Sequence, residues 1–240
     1  ARENLRKIAP KSLVLISSIA VFADSRGRCE DDAPDTDGLP AYGRNRLQLE
    51  QWVREDFNDA LIVRLPALYG AGLKKNFLFD LHTITPAMLK PEKYNELAEK
   101  LPLVKTGYTL ADNGFYKLNG TADKTALKEF FAGNDFNALA FTDSRSRYQF
   151  YNLGRLWQDI EAVRAAGLTM LHLCTPPISA AEVYTAVTGK TDWTNELPKS
   201  PFDYDLRSRY AAVLGGSGDY LCTKEEELDD VTHFLREWRD

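Results

Sequence analysis

Apolar and polar positions fall along this chain in blocks whose length and period separate strands from helices. The run SLVLISSIAVF, residues 12–22, is short and apolar, is entered through Pro10 from an amphipathic opening segment, and carries two hydroxyls, Ser17 and Ser18. Such a run predicts a strand buried on both faces. SRGRCEDDAPDTDGLP, residues 25–40, is polar and punctuated by Gly, Pro and Asp, and predicts a long loop, a feature that is usually functional in a compact domain. A helix follows from Tyr42 to about Phe57, with Leu47, Leu49 and Trp52 among its apolar residues, and ALIVRLP, residues 60–66, gives a second buried strand. Farther on come a helical piece around Phe77 to His82 and helices near 91–101 and 122–132, separated by Pro, Gly and Asn breaks. RYQFYNL (147–153) predicts a strand, the next segment to Gly167 a helix, and LTMLHLCT (168–175) a third buried strand. Ser179, with Glu182 three residues later, has the spacing of a helix N-cap and capping box, and that helix closes at Gly189. The tail TKEEELDDVTHFLREW is an amphipathic helix with acidic residues at its start, where the helix dipole favours them.

Strand and helix alternation of this kind predicts an α/β fold with a parallel sheet covered by helices. Residues from about 75 to 145 depart from the alternation and predict a separate lobe.

Composition narrows the function classes. The 240 residues are 44% hydrophobic and 27% charged, an ordinary globular balance, and the net charge of −5 argues against a dedicated nucleic-acid or anionic-membrane surface. No apolar run approaches the ~20 residues of a membrane span, and the opening ARENLRKIAP lacks a hydrophobic signal core. Cys29, Cys174 and Cys222 are scattered without CxxC pairing, and His82, His172 and His233 have no ligand spacing, which predicts a cytoplasmic, reducing setting and no metal site. His172 lies in an apolar run and reads as a hydrogen-bonded core histidine.

The candidate chemistry begins at Tyr42. Arg46, four residues on, shares its helix face and would hold a fixed positive charge beside the phenol, and a positive neighbour favours phenolate. The same spacing also describes an ordinary surface Tyr/Arg pair. Ser17 and Ser18 leave the C-terminal end of the first strand, where open parallel sheets bind their ligands. A serine, a tyrosine and a fixed cation converging there can move a proton to or from a hydroxyl or carbonyl oxygen.

LVLISSIAVF, AYGRNRLQLE and LIVRLPALYGAG, in that order, resemble the extended short-chain dehydrogenase/reductase superfamily, which holds nucleotide-sugar epimerases, dehydratases and reductases. Their pattern is a Ser-Ser strand end, a YxxxK helix and an RxPxxYGxG turn. The resemblance implies a Rossmann-like parallel sheet, the C-terminal portion of a doubly wound domain, over residues 1–75, and a smaller mixed substrate-binding lobe over 76–240 interleaved with a late strand and helices. It implies Ser18, Tyr42 and Arg46 as the catalytic set, with Ser17, Tyr42, Arg46, Pro66, Leu68 and Tyr69 along NAD or NADP. Asn76, Arg147 and Arg145 fall where such proteins contact the substrate diphosphate, although Arg145 reads equally as a solvated surface arginine. The partner would be a nucleotide-sugar or related small molecule. A homodimer would pair the tyrosine helix through Leu47, Trp52 and Val53, unless these face the sheet.

Two departures qualify the resemblance. Arg46 stands where the family has lysine, and a planar guanidinium keeps the charge while disturbing the ribose contact. The glycine-rich turn that cradles a dinucleotide diphosphate is absent from these residues, GGSGDY (215–220) reading as an irregular loop. The resemblance therefore implies roughly a hundred residues, with the first strands and the adenosine half of the site, ahead of Ala1. Dehydratases of the group place acidic residues near the serine motif, and SSIAVF has none, which leans away from dehydration. The alternative is a catalytically silent nucleotide-binding protein that retains the fold.

Overall fold

The chain is described here over residues 2–238 by a computed structural model. It divides into two compact units: one runs to Leu73 and resumes over Ser144–Trp193 and from Ser200, and the other comprises Lys74–Asp143 and Thr194–Lys199. The lobe is thus narrower than the 76–240 span, because the later strands and helices pack with the sheet.

The first unit opens with helix α1 (Arg2–Ile8), strand β1 (Val14–Ser18), helix α2 (Ala41–Asp56) and strands β2 (Leu61–Leu65) and β3 (Ala67–Tyr69). A single 3-10 turn, Ile19–Val21, extends β1, and the stretch from there to α2 is irregular, as its Gly, Pro and Asp content dictates. The second unit carries helix α3 (Asn76–Thr83), strand β4 (Met88–Leu89), helices α4 (Pro91–Lys100) and α5 (Pro102–Gly107), strands β5 (Tyr108–Leu110) and β6 (Tyr116–Leu118), and helix α6 (Lys124–Ala132). The chain then returns through β7 (Arg147–Tyr148), β8 (Phe150–Asn152), α7 (Leu156–Ala165), β9 (Met170–His172), β10 (Ile178–Ser179), α8 (Ala180–Thr188) and α9 (Lys224–Glu237). Among the described residues no helix is long and apolar enough to cross a membrane.

Strands β1, β2 and β9 form a parallel sheet in that order, with Ser17 opposite Arg64 and Arg64 opposite His172. The central β2 is buried at every position, as a strand covered on both faces must be. Its alternation sends Leu61, Val63 and Leu65 into one core with Val163 of α7 and Leu171, and leaves Arg64 on the other face, which α2 covers. A second core gathers Ile19, Val21, Phe22 and Leu39 with Leu47. Leu47 and Val53 are buried within this chain, so they do not offer the apolar area of a dimer face. Trp52 lies beneath Arg2, whose guanidinium is 5.5 Å from the ring centroid.

The expected caps form where their chemistry places them. Ser179 caps α8 with the reciprocal Glu182 bond, and Gly189 ends the helix at φ 72°, a conformation a glycine adopts without steric cost. Thr223 and Glu226 make the same box at α9. In the second unit, an antiparallel sheet, β4-β6-β5, packs with Leu97, Val104, Leu127 and Phe131 in a core of its own.

Candidate functional site

The candidate site is built where α2 is seated on β1. Three α2 residues on one helical face hold it there. A Cβ at Gly43 would run into the backbone carbonyl of Ala20, so glycine lets the first turn of α2 lie directly against the turn that follows Ser18. One turn later, Arg46 Nη1 donates to the Ile16 carbonyl at 3.2 Å. One turn later again, Glu50 accepts from the Ser17 hydroxyl at 2.5 Å. Because β1 and β2 are parallel, the intervening α2 runs back along the sheet, and its N-terminal turn comes to the strand end that Ser18 occupies.

Tyr42 sits in that turn, 56% exposed, and no hydrogen bond to its hydroxyl forms among the described residues. The Arg46 guanidinium lies over its ring, 5.6 Å from the centroid, a cation–π distance. Ser18 accepts from the Ala20 amide at 3.2 Å, which orients its oxygen and leaves its O–H free to donate. A hydroxyl donor, a phenol and a fixed cation therefore share one end of the sheet. Gly43→Ala should destabilise the sheet unit by about 1–3 kcal/mol, the usual range for overpacking, as read from chemical unfolding. A variant as stable as the parent would show that α2 is not seated on Ala20.

Other expected site residues are placed differently. Ser17 and Ser18 are adjacent in a strand, so they face opposite ways; Ser17 is buried and its hydroxyl is engaged by Glu50. Tyr69 is likewise buried, and its hydroxyl donates to Asp230 at 2.5 Å. Both hydroxyls thus donate to carboxylates within the protein. Pro66 and Leu68 are half-buried beside them. Arg147 is paired with Asp203 at 2.6 Å on the surface of the first unit, and Arg145 is exposed. Asn76 begins α3 in the second unit with φ 63°, and its side-chain oxygen accepts from the Leu78 amide. Gly215–Tyr220 forms an irregular loop after a 3-10 turn, with no strand leading into it and no helix opening from it.

The sequence reading missed the network behind the site. Arg64 donates to both Glu50 oxygens, at 3.1 and 2.7 Å, with each side chain 3% exposed. Its Nη1 reaches His172 Nε2 at 3.1 Å, and His172 Nδ1 meets the Arg207 carbonyl at 2.9 Å. A guanidinium only donates and a carbonyl only accepts, so His172 carries its proton on Nδ1. Burial, with the nearby Arg64 charge, keeps the ring neutral by lowering its pKa well below the ordinary histidine value. An arginine inside the otherwise apolar strand LIVRL was the available signal, because a buried guanidinium requires an acidic partner.

The second unit contains a cavity of about 410 Å³ bordered by Met88, Phe115, Phe136 and Phe141, with Lys93 Nζ 4.9 Å from the Phe136 ring centroid. Asp80 lines it too, and burial raises its carboxyl to about 6.

Residues 6–88, which include Ser18, Tyr42, Arg46 and Asn76, match the sequence model of the RmlD substrate binding domain. No curated protein sequence matches the chain. Among solved structures, UDP-glucuronic acid 4-epimerase from Bacillus cereus, in complex with UDP-glucuronic acid and NAD, is similar with a TM-score of 0.56 at 14% identity, over 98% of this chain and 65% of that one. A dTDP-4-dehydrorhamnose reductase from Clostridium acetobutylicum aligns with a TM-score of 0.55 at 16% identity, over 98% of this chain and 69% of that one. An NAD-bound short-chain dehydrogenase/reductase superfamily protein from Agrobacterium tumefaciens has a TM-score of 0.55 at 15% identity, over 98% of this chain and 71% of its own. The chain thus spans about two thirds of the length of these structures. The fold they share is the Rossmann-like α/β arrangement described above. The matched segment is about a third of the chain, and at 14–16% identity the structural likeness is one of fold.

Proposed function

We propose that this protein is an oxidoreductase or epimerase that works with NAD or NADP on a hydroxyl or carbonyl of a nucleotide-activated sugar. The observation that carries this reading is the seating of α2 through Gly43, Arg46 and Glu50, which brings Tyr42 to the strand end of Ser18. In the forward direction Tyr42 takes the proton of the sugar hydroxyl, and the Ser18 O–H donates to the same oxygen and holds it in line. Arg46 places a permanent positive charge over the ring of this proton acceptor. The nicotinamide, when bound, accepts or returns the hydride. Tyr42, Arg46 and the backbone from Pro66 to Tyr69 suit its nicotinamide end, whereas no glycine-rich cradle for the diphosphate occurs among the described residues.

Arg147 and Arg145, both on the first unit, are the cations proposed for the substrate diphosphate. Arg147 must exchange its Asp203 partner for phosphate, which a guanidinium can grip through two parallel bonds.

One observation favours the second reading, a silent nucleotide-binding protein. The Arg46 guanidinium is already used structurally, on the Ile16 carbonyl and the Tyr42 ring. Turnover separates the two. The intact protein, given NAD or NADP and a panel of UDP- and dTDP-sugars with the free sugars as controls, should yield an epimer, a keto sugar or an absorbance change at the nicotinamide band with nucleotide-sugars alone. Binding of nucleotide-sugars without any turnover would establish the silent reading instead.

A further inference from the structure

A second cavity in the first unit, about 560 Å³, lies among Tyr69, Phe150, Asn152, Leu221, Glu227 and Asp230, residues to which the proposed reaction assigns no side-chain chemistry. Glu227 is 3% exposed. Its Oε1 accepts from the Phe150 amide at 2.8 Å and from the Thr175 hydroxyl at 2.9 Å, while Oε2 has no hydrogen-bond partner among the described residues. A buried carboxyl oxygen without a donor is costly, because burial strips its water and returns nothing. Asp230 lies three residues along α9, on the same helical face, and accepts from the Tyr69 hydroxyl and, at 3.2 Å, from the Asn152 amide. A carboxylate has about four acceptor positions, so Asp230 retains capacity.

Among the described residues that line the cavity, the carboxyl groups of Glu226, Glu227 and Asp230 face one cation, Arg155, which is 3.8 Å from Asp159. Lys224, next along α9, is paired with Glu182 at 2.5 Å. Among the described residues no three His, Cys, Asp or Glu side chains converge as metal ligands. What satisfies this wall is a cation that brings its own N–H donors and an apolar body to lie against Phe150, Leu214 and Leu221. We propose that the cavity binds a small aliphatic primary amine, its ammonium held between Glu227 and Asp230.

The proposal has a proton linkage. Burial is the largest influence on Glu227 and raises its carboxyl to about 8, against the smaller lowering effects of the Phe150 amide, the Thr175 hydroxyl and Lys224; Asp230 adds to the rise. Of the other groups facing it, Tyr69 titrates far above this range and Cys222 is pushed up to about 12, so both remain neutral through pH 9. An ammonium binds the ionised carboxylate, whose fraction in a group titrating near 8 rises about tenfold between pH 7 and pH 9. A primary ammonium stays protonated over that interval, as lysine does.

Titration calorimetry with n-butylammonium chloride at constant ionic strength tests this. Saturable binding is expected, about tenfold tighter at pH 9 than at pH 7, with no comparable binding of 1-butanol, which lacks the charge, or of tetramethylammonium, which lacks N–H donors. E227Q keeps the size of the side chain and an acceptor for Phe150 and Thr175; it should weaken binding at least tenfold and abolish the pH slope. Because the folded-state pKa is raised, the stability linked to this carboxyl is complete below its ordinary value of 4.5 and is lost as pH rises through about 8. The unliganded parent should therefore lose thermal stability between pH 6 and pH 9 more steeply than E227Q. Absence of saturable butylammonium binding, equal binding of 1-butanol, a flat pH profile in the parent, or unchanged affinity in E227Q would each overturn the proposal. The parent's pH profile decides the matter even if E227Q does not fold.

Discussion

Glu50→Ala should destabilise the sheet unit by about 3–5 kcal/mol, the usual result of removing one partner from a buried ion pair. The substitution leaves the Arg64 guanidinium, 3% exposed, without its carboxylate between two layers of secondary structure. It also removes the acceptor for the Ser17 hydroxyl and one of the three attachments of α2 to β1. On a chain of this size the thermal midpoint should fall by on the order of 10 °C. The loss is expected to come from the orphaned charge more than from the value of the pair. Glu50→Leu combined with Arg64→Met should therefore recover part of it, short of full recovery because His172 Nε2 then lacks its donor. If Glu50→Ala unfolded at the parental temperature, the network would not be holding the helix, and the scaffold assigned to Tyr42 and Ser18 would lose its physical basis.

Tyr42→Phe should behave oppositely, sparing the fold and removing the chemistry. Its hydroxyl is at an exposed position and makes no hydrogen bond among the described residues, so its loss should change stability by less than about 0.5 kcal/mol. On the proposed mechanism that hydroxyl moves the substrate proton, and general acid–base catalysis of this kind is worth about 10²–10⁴-fold in rate. Turnover of the nucleotide-sugar should fall by that factor with little change in KM, because the aromatic ring and its Arg46 stacking persist. Parental turnover in Tyr42→Phe would remove the tyrosine from the mechanism.

The sheet was legible because its strands are apolar runs bounded by breakers. VLISS, LIVRL and MLH emerge as β1, β2 and β9, and the capping box at Ser179 and Glu182 forms as its spacing requires. The lobe was less legible. Its strands β4, β5 and β6 are two or three residues long, too short for a period of two to show, and the segment predicted as one strand over 147–153 divides into β7 and β8. At the candidate site, the order and spacing of Ser18, Tyr42 and Arg46 are what proposes them, whereas the inward turn of Ser17 and Tyr69 depends on partners far away in sequence, Glu50 and Asp230. Glu227 is of the same kind: within KEEEL nothing marks it, and only the packing of α9 against Phe150 and Thr175 buries it.

The central claim, that Ser18 and Tyr42 act together on one substrate oxygen, is tested most directly by a double-mutant cycle on kcat with Ser18→Ala and Tyr42→Phe. Groups that act as a unit are strongly non-additive. The double variant should therefore be little slower than the slower of the two single variants. Losses that multiply, so that the double variant is slower by the product of the two single effects, would contradict it and show the two hydroxyls working independently.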